Sequence, residues 1–253
     1  MDFSIKIFCY NFYLKYSKIF ARLKIHHFGL QRSGTNLLAK KLQIMDCMVL
    51  NAIDPERSSI KHKHFRIQNN KNTISNKLYY NQEYIYNLND LVERLYTSKD
   101  FFFVGVYKDP FAWIESMCRW ERTDKKLGDH EINVFVESQL SDWFSYYSAW
   151  YKLSKSNPDK VILLDIDDIL NPDLNKLIYS NLFFRLKGER INKSTLERLC
   201  KSVYKVPHSR VRSQERVNNM KFFEDNSLRI DELKIDCQEL YTDMKRANLG
   251  VVV

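Results

Sequence analysis

Between a strand-like run, Lys24 to Phe28, and a helical run opening at Asn36 stands the octapeptide Gly29-Leu30-Gln31-Arg32-Ser33-Gly34-Thr35-Asn36. No other stretch constrains the fold as strongly. A strand that turns through glycines into a helix leaves several main-chain N–H groups aimed at one spot. The positive end of the helix dipole adds to them, so such a turn suits an anion. The spacing Gly29-x4-Gly34 is that of a nucleotide phosphate loop, yet Thr35 stands where an ATP-using loop carries lysine. Arg32, Thr35 and Asn36 offer a guanidinium fork, a hydroxyl and an amide. An ordinary glycine-rich turn needs neither the arginine nor this spacing.

Around the loop, strand and helix patterns alternate, which predicts an α/β fold: a three-layer P-loop-like domain with a central, mainly parallel sheet. Strand-like runs are Ile25–Gly29, Met48–Asn51, Phe101–Tyr107 and Val161–Asp165. The last two are almost continuously apolar, as strands buried on both faces are. Helical patterns cover about 36–46, 88–97, 111–120, 131–155, 173–186, 194–202 and 230–247. Asp129 and Asn192-Lys193-Ser194 supply caps. Residues 52–86 show little periodicity, and a loop of that length inside a domain is more often functional than idle.

With 253 residues, 44% of them hydrophobic, the chain is long enough for one sizeable core. The expected division is a basic, aromatic N-terminal segment, 1–24, followed by one domain over 25–253. The run Ile7 to Leu14 falls well short of the roughly 20 residues needed to span a bilayer. No transmembrane segment is therefore expected, and the contact open to residues 1–24 is a weak peripheral one with an anionic membrane surface. Five scattered cysteines without a Cys-x-x-Cys pair argue against a disulfide framework and a zinc site; no metal is expected, and a reducing, cytoplasmic location fits best. The net charge of +9 suits an anionic ligand.

Two further motifs carry chemistry. In Phe101-Phe-Phe-Val-Gly-Val-Tyr-Lys108-Asp109-Pro110 a buried strand ends at Lys108 and Pro110 starts a helix, where its missing N–H costs nothing. Ligands of open parallel sheets collect beyond the carboxyl ends of strands. Lys108 thus emerges on the rim that bears the loop, and Ser116 reaches back from the helix toward the same anion. The other motif is Ile60-Lys61-His62-Lys63-His64-Phe65. A neutral imidazole accepts a hydroxyl proton near pH 7, and an adjacent lysine stabilises developing negative charge.

The loop Gly29–Asn36 resembles the 5′-phosphosulfate loop of the PAPS-dependent sulfotransferases. Lys108-Asp-Pro through Ser116 resembles that family's 3′-phosphate motif, in which a basic residue precedes a serine by eight positions. The likeness covers roughly residues 25–170 and includes an acidic segment, Leu163-Leu-Asp165-Ile-Asp-Asp-Ile169. It implies a P-loop-type α/β enzyme that moves a sulfuryl group from PAPS to an acceptor hydroxyl, releasing PAP. It implies cofactor contacts from Gln31, Arg32, Ser33, Gly34, Thr35, Asn36, Lys108 and Ser116. A Lys-His pair supplies the catalytic base in such enzymes, which points to Lys61 and His62, with His64 as substitute and Arg32 stabilising the leaving group. Lys108 replaces the commoner arginine, Leu37 an adenine-stacking tryptophan, and the C-terminal Arg-Lys-Gly clamp has only Arg210 and Arg212 as counterparts. The polar and aromatic 52–86 segment suits a sugar hydroxyl better than a steroid-like acceptor. Two other readings compete: a P-loop nucleotide kinase or NTPase with Asp165 on a metal, and a non-catalytic polyanion-binding module. Nucleic acid is not an expected partner, and oligomeric state is open.

Overall fold

The computed structural model of the chain describes residues 23–52, 62–64, 66–67, 84–85, 101–125, 129–201 and 228–249. Its centre is a four-stranded, all-parallel sheet in the order β2-β1-β5-β6, with β1 Lys24–Phe28, β2 Met48–Val49, β5 Phe101–Tyr107 and β6 Val161–Asp165. A separate parallel pair joins β3 Arg66–Ile67 to β4 Tyr84–Ile85. Among the described residues there are seven helices: α1 Thr35–Ile44, α2 Pro110–Lys125, α3 Asp129–Ser156, α4 Ile166–Leu170, α5 Asn175–Lys187, α6 Lys193–Lys201 and α7 Leu228–Leu249.

Side-chain alternation along the central strands divides the core in two. Phe28, Phe103, Tyr107, Val161 and Leu163 point to one face, where Trp113, Met117, Trp143, Tyr147 and Trp150 of α2 and α3 meet Cys237, Tyr241 and Met244 of α7. Ile25, Val104, Val106, Ile162 and Leu164 point to the other, against Leu38 and Leu42 of α1 and Tyr179, Leu182 and Leu199 of α5 and α6. The expected α/β architecture with a parallel sheet is therefore present, and helices on both sides make it compatible with three layers. Burial of both faces explains why β5 and β6 read as nearly unbroken apolar runs.

The elements agree with the sequence patterns to within a few residues, with two differences. The 173–186 pattern is preceded by the short helix α4, which Asp165 caps by accepting the Asp167 N–H at 2.8 Å. The segment 52–86, read as unstructured, contributes β3, β4 and the docked residues 62–64. Asn192 caps α6 as expected, accepting the Thr195 N–H at 2.8 Å. The 88–97 helix, the segment 1–22, Lys61, Arg210 and Arg212 lie outside the described residues. Among the described residues, no helix is long and apolar enough to cross a membrane.

Candidate functional site

Because β1 and β5 run parallel and adjacent, with Phe28 paired to Gly105, the turns that follow them leave the sheet at the same edge. Gly29 is confined there. A Cβ on it would stand 2.6 Å from the Val106 carbonyl and 2.7 Å from Ser33 Oγ. Gly34 has φ +97, and a Cβ on it would meet Ile166 Cδ1 at 2.5 Å. Both glycines of the Gly-x4-Gly spacing are thus sterically required. Arg32 is itself left-handed, at φ 66, and its side chain is exposed.

The carbonyls of the loop are taken up from within the protein. Leu30 O accepts from Ser33 N and from Ser33 Oγ, at 3.2 and 2.6 Å, which makes the fully buried Ser33 side chain part of the turn. Gln31 O accepts the indole N–H of Trp113 at 2.6 Å. Tyr147 donates its hydroxyl to Val106 O at 2.9 Å and accepts the Leu30 N–H at 3.3 Å. By contrast, the main-chain N–H groups of Arg32, Gly34, Thr35 and Asn36 meet no intramolecular acceptor among the described residues. Carbonyls engaged and amides open is the arrangement an anion cradle requires.

The second motif comes to this cradle. Asp109 caps α2 by accepting the Ala112 N–H at 2.9 Å, so that Pro110 occupies the first helical position. One turn further on, Ser116 Oγ accepts from Arg32 Nε at 3.3 Å. The two sequence motifs, 84 residues apart, touch through this bond. Lys108 sits deeper than a rim position. It is only 7% exposed, and its ammonium donates to Ala112 O at 3.0 Å. The acceptors of the two cations, Ala112 and Ser116, stand one turn apart on α2.

Residues 62–64 dock against the loop on its other side. Gly29 N–H donates to Lys63 O at 3.1 Å, and His64 Nδ1 donates to Gly29 O at 2.8 Å. Lys63 Nζ donates to Asn36 Oδ1 at 2.6 Å, and desolvation lowers its pKa. These bonds settle the histidine tautomers. A carbonyl only accepts, so neutral His64 carries its proton on Nδ1 and its lone pair on Nε2, which lies 3.5 Å from Thr35 Oγ1. His62 is arranged the opposite way: its Nδ1 accepts the His64 main-chain N–H at 3.1 Å, leaving the proton on Nε2. Lys63 is a residue that sequence reasoning missed. The repeat Lys61-His62-Lys63-His64 offers two Lys-His pairs, and only the docking distinguishes them.

His26 and His27, both in β1, are buried. His27 bonds Asn51 Oδ1 through Nδ1 at 2.7 Å, and burial lowers its pKa to about 3. Asp165, at the end of β6, meets Tyr241 Oη at 2.7 Å and Lys245 Nζ at 3.4 Å, while Lys245 also pairs with Asp168 at 3.1 Å. Burial raises the Asp165 pKa to about 6. Both of its carboxylate oxygens are engaged within the protein. Among the described residues, no group of three His, Cys, Asp or Glu side chains is placed to hold a metal.

Comparison of the chain with protein families, with curated proteins and with solved structures finds no match. The functional reading rests on the residues themselves.

Proposed function

We propose that the chain is a P-loop-type sulfotransferase that uses PAPS and moves a sulfuryl group to an acceptor hydroxyl, a sugar hydroxyl in preference to a steroid-like one. One observation carries the reading. Arg32 and Ser116, drawn from two motifs of independent resemblance, are in direct contact. A single anionic ligand gripped by both motifs fits that pairing.

The donor set suits such a ligand. Open amides, the exposed Arg32, Lys63 and Asn36 gather at the loop, with Ser116 and the buried Lys108 behind. The carboxylates flanking the second motif are turned elsewhere: Asp109 to Ala112 N–H and Glu115 to Arg119. Thr35 in place of a loop lysine, and the closed pairing of Asp165, weigh against kinase or NTPase chemistry.

PAPS, when bound, supplies an activated sulfuryl group on a leaving 5′-phosphate. His64 Nε2, the lone pair that faces the loop, takes the proton of the acceptor hydroxyl. His62 spends its Nδ1 lone pair on the loop backbone and serves to hold His64 in place. Arg32, Thr35, Asn36 and the loop amides would hold the 5′-phosphate end of PAPS, with Lys63 a partly desolvated cation beside them. Ser116 would hold the 3′-phosphate end, with Lys108 behind it as a point charge. Gln31 and Ser33 contribute through the turn that they build. Lys61, Arg210 and Arg212 remain candidates for the same anion.

The test is a thermal-shift comparison of PAP with ATP·Mg²⁺, since the ligand bound more tightly to the native state raises the melting point further. It is followed by mass-spectrometric detection of one added SO₃ on glycans, phenols and lipids supplied with PAPS. A larger shift with PAP and a sulfated glycan are expected. A larger shift with ATP·Mg²⁺, or none with PAP, overturns the assignment.

A further inference from the structure

Beneath the loop, three buried aromatic residues direct their polar atoms at main-chain groups of the two motifs. Trp113 donates to Gln31 O at 2.6 Å, Trp143 to Lys108 O at 3.2 Å, and Tyr147 to Val106 O at 2.9 Å while accepting from Leu30 N. All three residues are at most 1% exposed, and the Trp143 and Tyr147 rings lie 4.9 Å apart between centroids. In a trans peptide the carbonyl and the following N–H point in opposite directions. A donor that captures Gln31 O from below therefore turns the Arg32 N–H upward. Ser33, holding Leu30 O, does the same for the Gln31 N–H. The left-handed Arg32 and Gly34 then bring successive amides to one concavity.

We propose that Trp113 is a positioning residue for anion binding, its indole N–H holding the Gln31–Arg32 peptide with the Arg32 amide facing the cradle. Tyr147 does the corresponding work two peptides earlier, removing the Leu30 N–H from the set that faces the ligand. The proposal rests on the sulfotransferase reading for the identity of the anion, but not for the direction of the peptide. Ordinary packing explains why an aromatic residue fills this site. It does not explain why the donors of Trp113, Trp143 and Tyr147 all meet the main chain of the two motifs.

Trp113→Phe keeps a ring and deletes the donor. Trp150→Phe is the control, because Trp150 packs on Phe28 and Phe103, at 5.1 and 6.1 Å, in the same core. Both variants should lower the melting point. Only Trp113→Phe should weaken PAP binding, by about tenfold, which is the worth of one neutral hydrogen bond. In the ligand-free protein its Arg32 amide resonance should also shift, whereas Trp150→Phe leaves that resonance in place. If Trp113→Phe does not fold, Tyr147→Phe removes only a hydroxyl and should move the Leu30 resonance. Equal PAP affinities in the Trp113 and Trp150 variants, or unmoved Arg32 and Leu30 resonances, overturn the positioning role. Absence of PAP binding by the wild type strikes the functional reading instead, and the amide resonances then decide the positioning role alone.

Discussion

Two strand ends of the same sheet carry charge, and they have been put to opposite uses. Beyond β1 and β5, Arg32, Lys63 and Lys108 donate to the neutral acceptors Ser116 Oγ, Asn36 Oδ1 and Ala112 O, beside a row of open amides. Beyond β6, Asp165 and Asp168 are met by Lys245, Tyr241 and the Asp167 N–H, so that both of these carboxylates are paired. On the proposed function an anion completes the first arrangement, whereas the second pairs its carboxylates within the protein. Charge density at a strand terminus therefore does not by itself identify a binding site. A buried polar cluster that is fully bonded stabilises the fold, whereas one left unbalanced marks the place where a ligand enters.

The contrast can be broken at its reactive end first. His64→Ala should lower sulfuryl transfer by about 10²–10⁴, or roughly 3–5 kcal/mol in the barrier, with PAP affinity retained. His62→Ala should cost less, and a reversal of that order in steady-state rates moves the base to His62. The two ends meet at Gly34, whose missing Cβ makes room for Ile166. Gly34→Ala combines backbone strain with overpacking and should cost about 2–4 kcal/mol in chemical denaturation, while also abolishing PAP binding. Stability within 0.5 kcal/mol of wild type, taken as the ordinary scatter of about that size, shows that the contact yields freely. Ser116→Ala should weaken PAP by about 1.5–3 kcal/mol in calorimetry; unchanged affinity removes Ser116 from the site. The smallest effect is a slope at the closed end. Burial lifts the Asp165 pKa from 3.8 to about 6, so the folded protein holds that proton more tightly than the unfolded chain. Stability from this group is then greatest below pH 3.8 and declines as pH rises through about 6. Asp165→Asn should gain on the wild type across that window in paired melting curves, and parallel curves contradict the buried-carboxylate account.

Much of this was legible in the chain. The Gly-x4-Gly spacing located a turn that only glycine can make at Gly29 and Gly34, and unbroken apolar runs in β5 and β6 announced burial on two faces. Periodicity placed α2, α3 and α7 because long amphipathic helices repeat their signal several times. What remained hidden depends on contacts between distant segments. Lys61-His62 and Lys63-His64 are equivalent as text, and only the bonds of Gly29 to Lys63 and His64 tell them apart. Trp113 and Tyr147 read as core aromatics, which they are; their hydrogen bonds to the loop leave no mark in hydropathy. The depth of Lys108 was missed for a similar reason. A lysine after a strand is ordinarily solvated, and here its own helix folds over it.

Arg32 is the one residue in the cradle whose backbone and side chain want different things. At φ 66 it occupies a basin that costs an L-residue about 1–2 kcal/mol and glycine almost nothing. Selection for folding alone would put glycine there, and the loop would close more easily. Keeping arginine means that the protein tolerates a standing penalty in every molecule, occupied or empty, for the sake of a guanidinium at that point. Because that cost is the same with the proposed anion bound or absent, it lowers the stability of the fold and leaves the affinity of the site untouched.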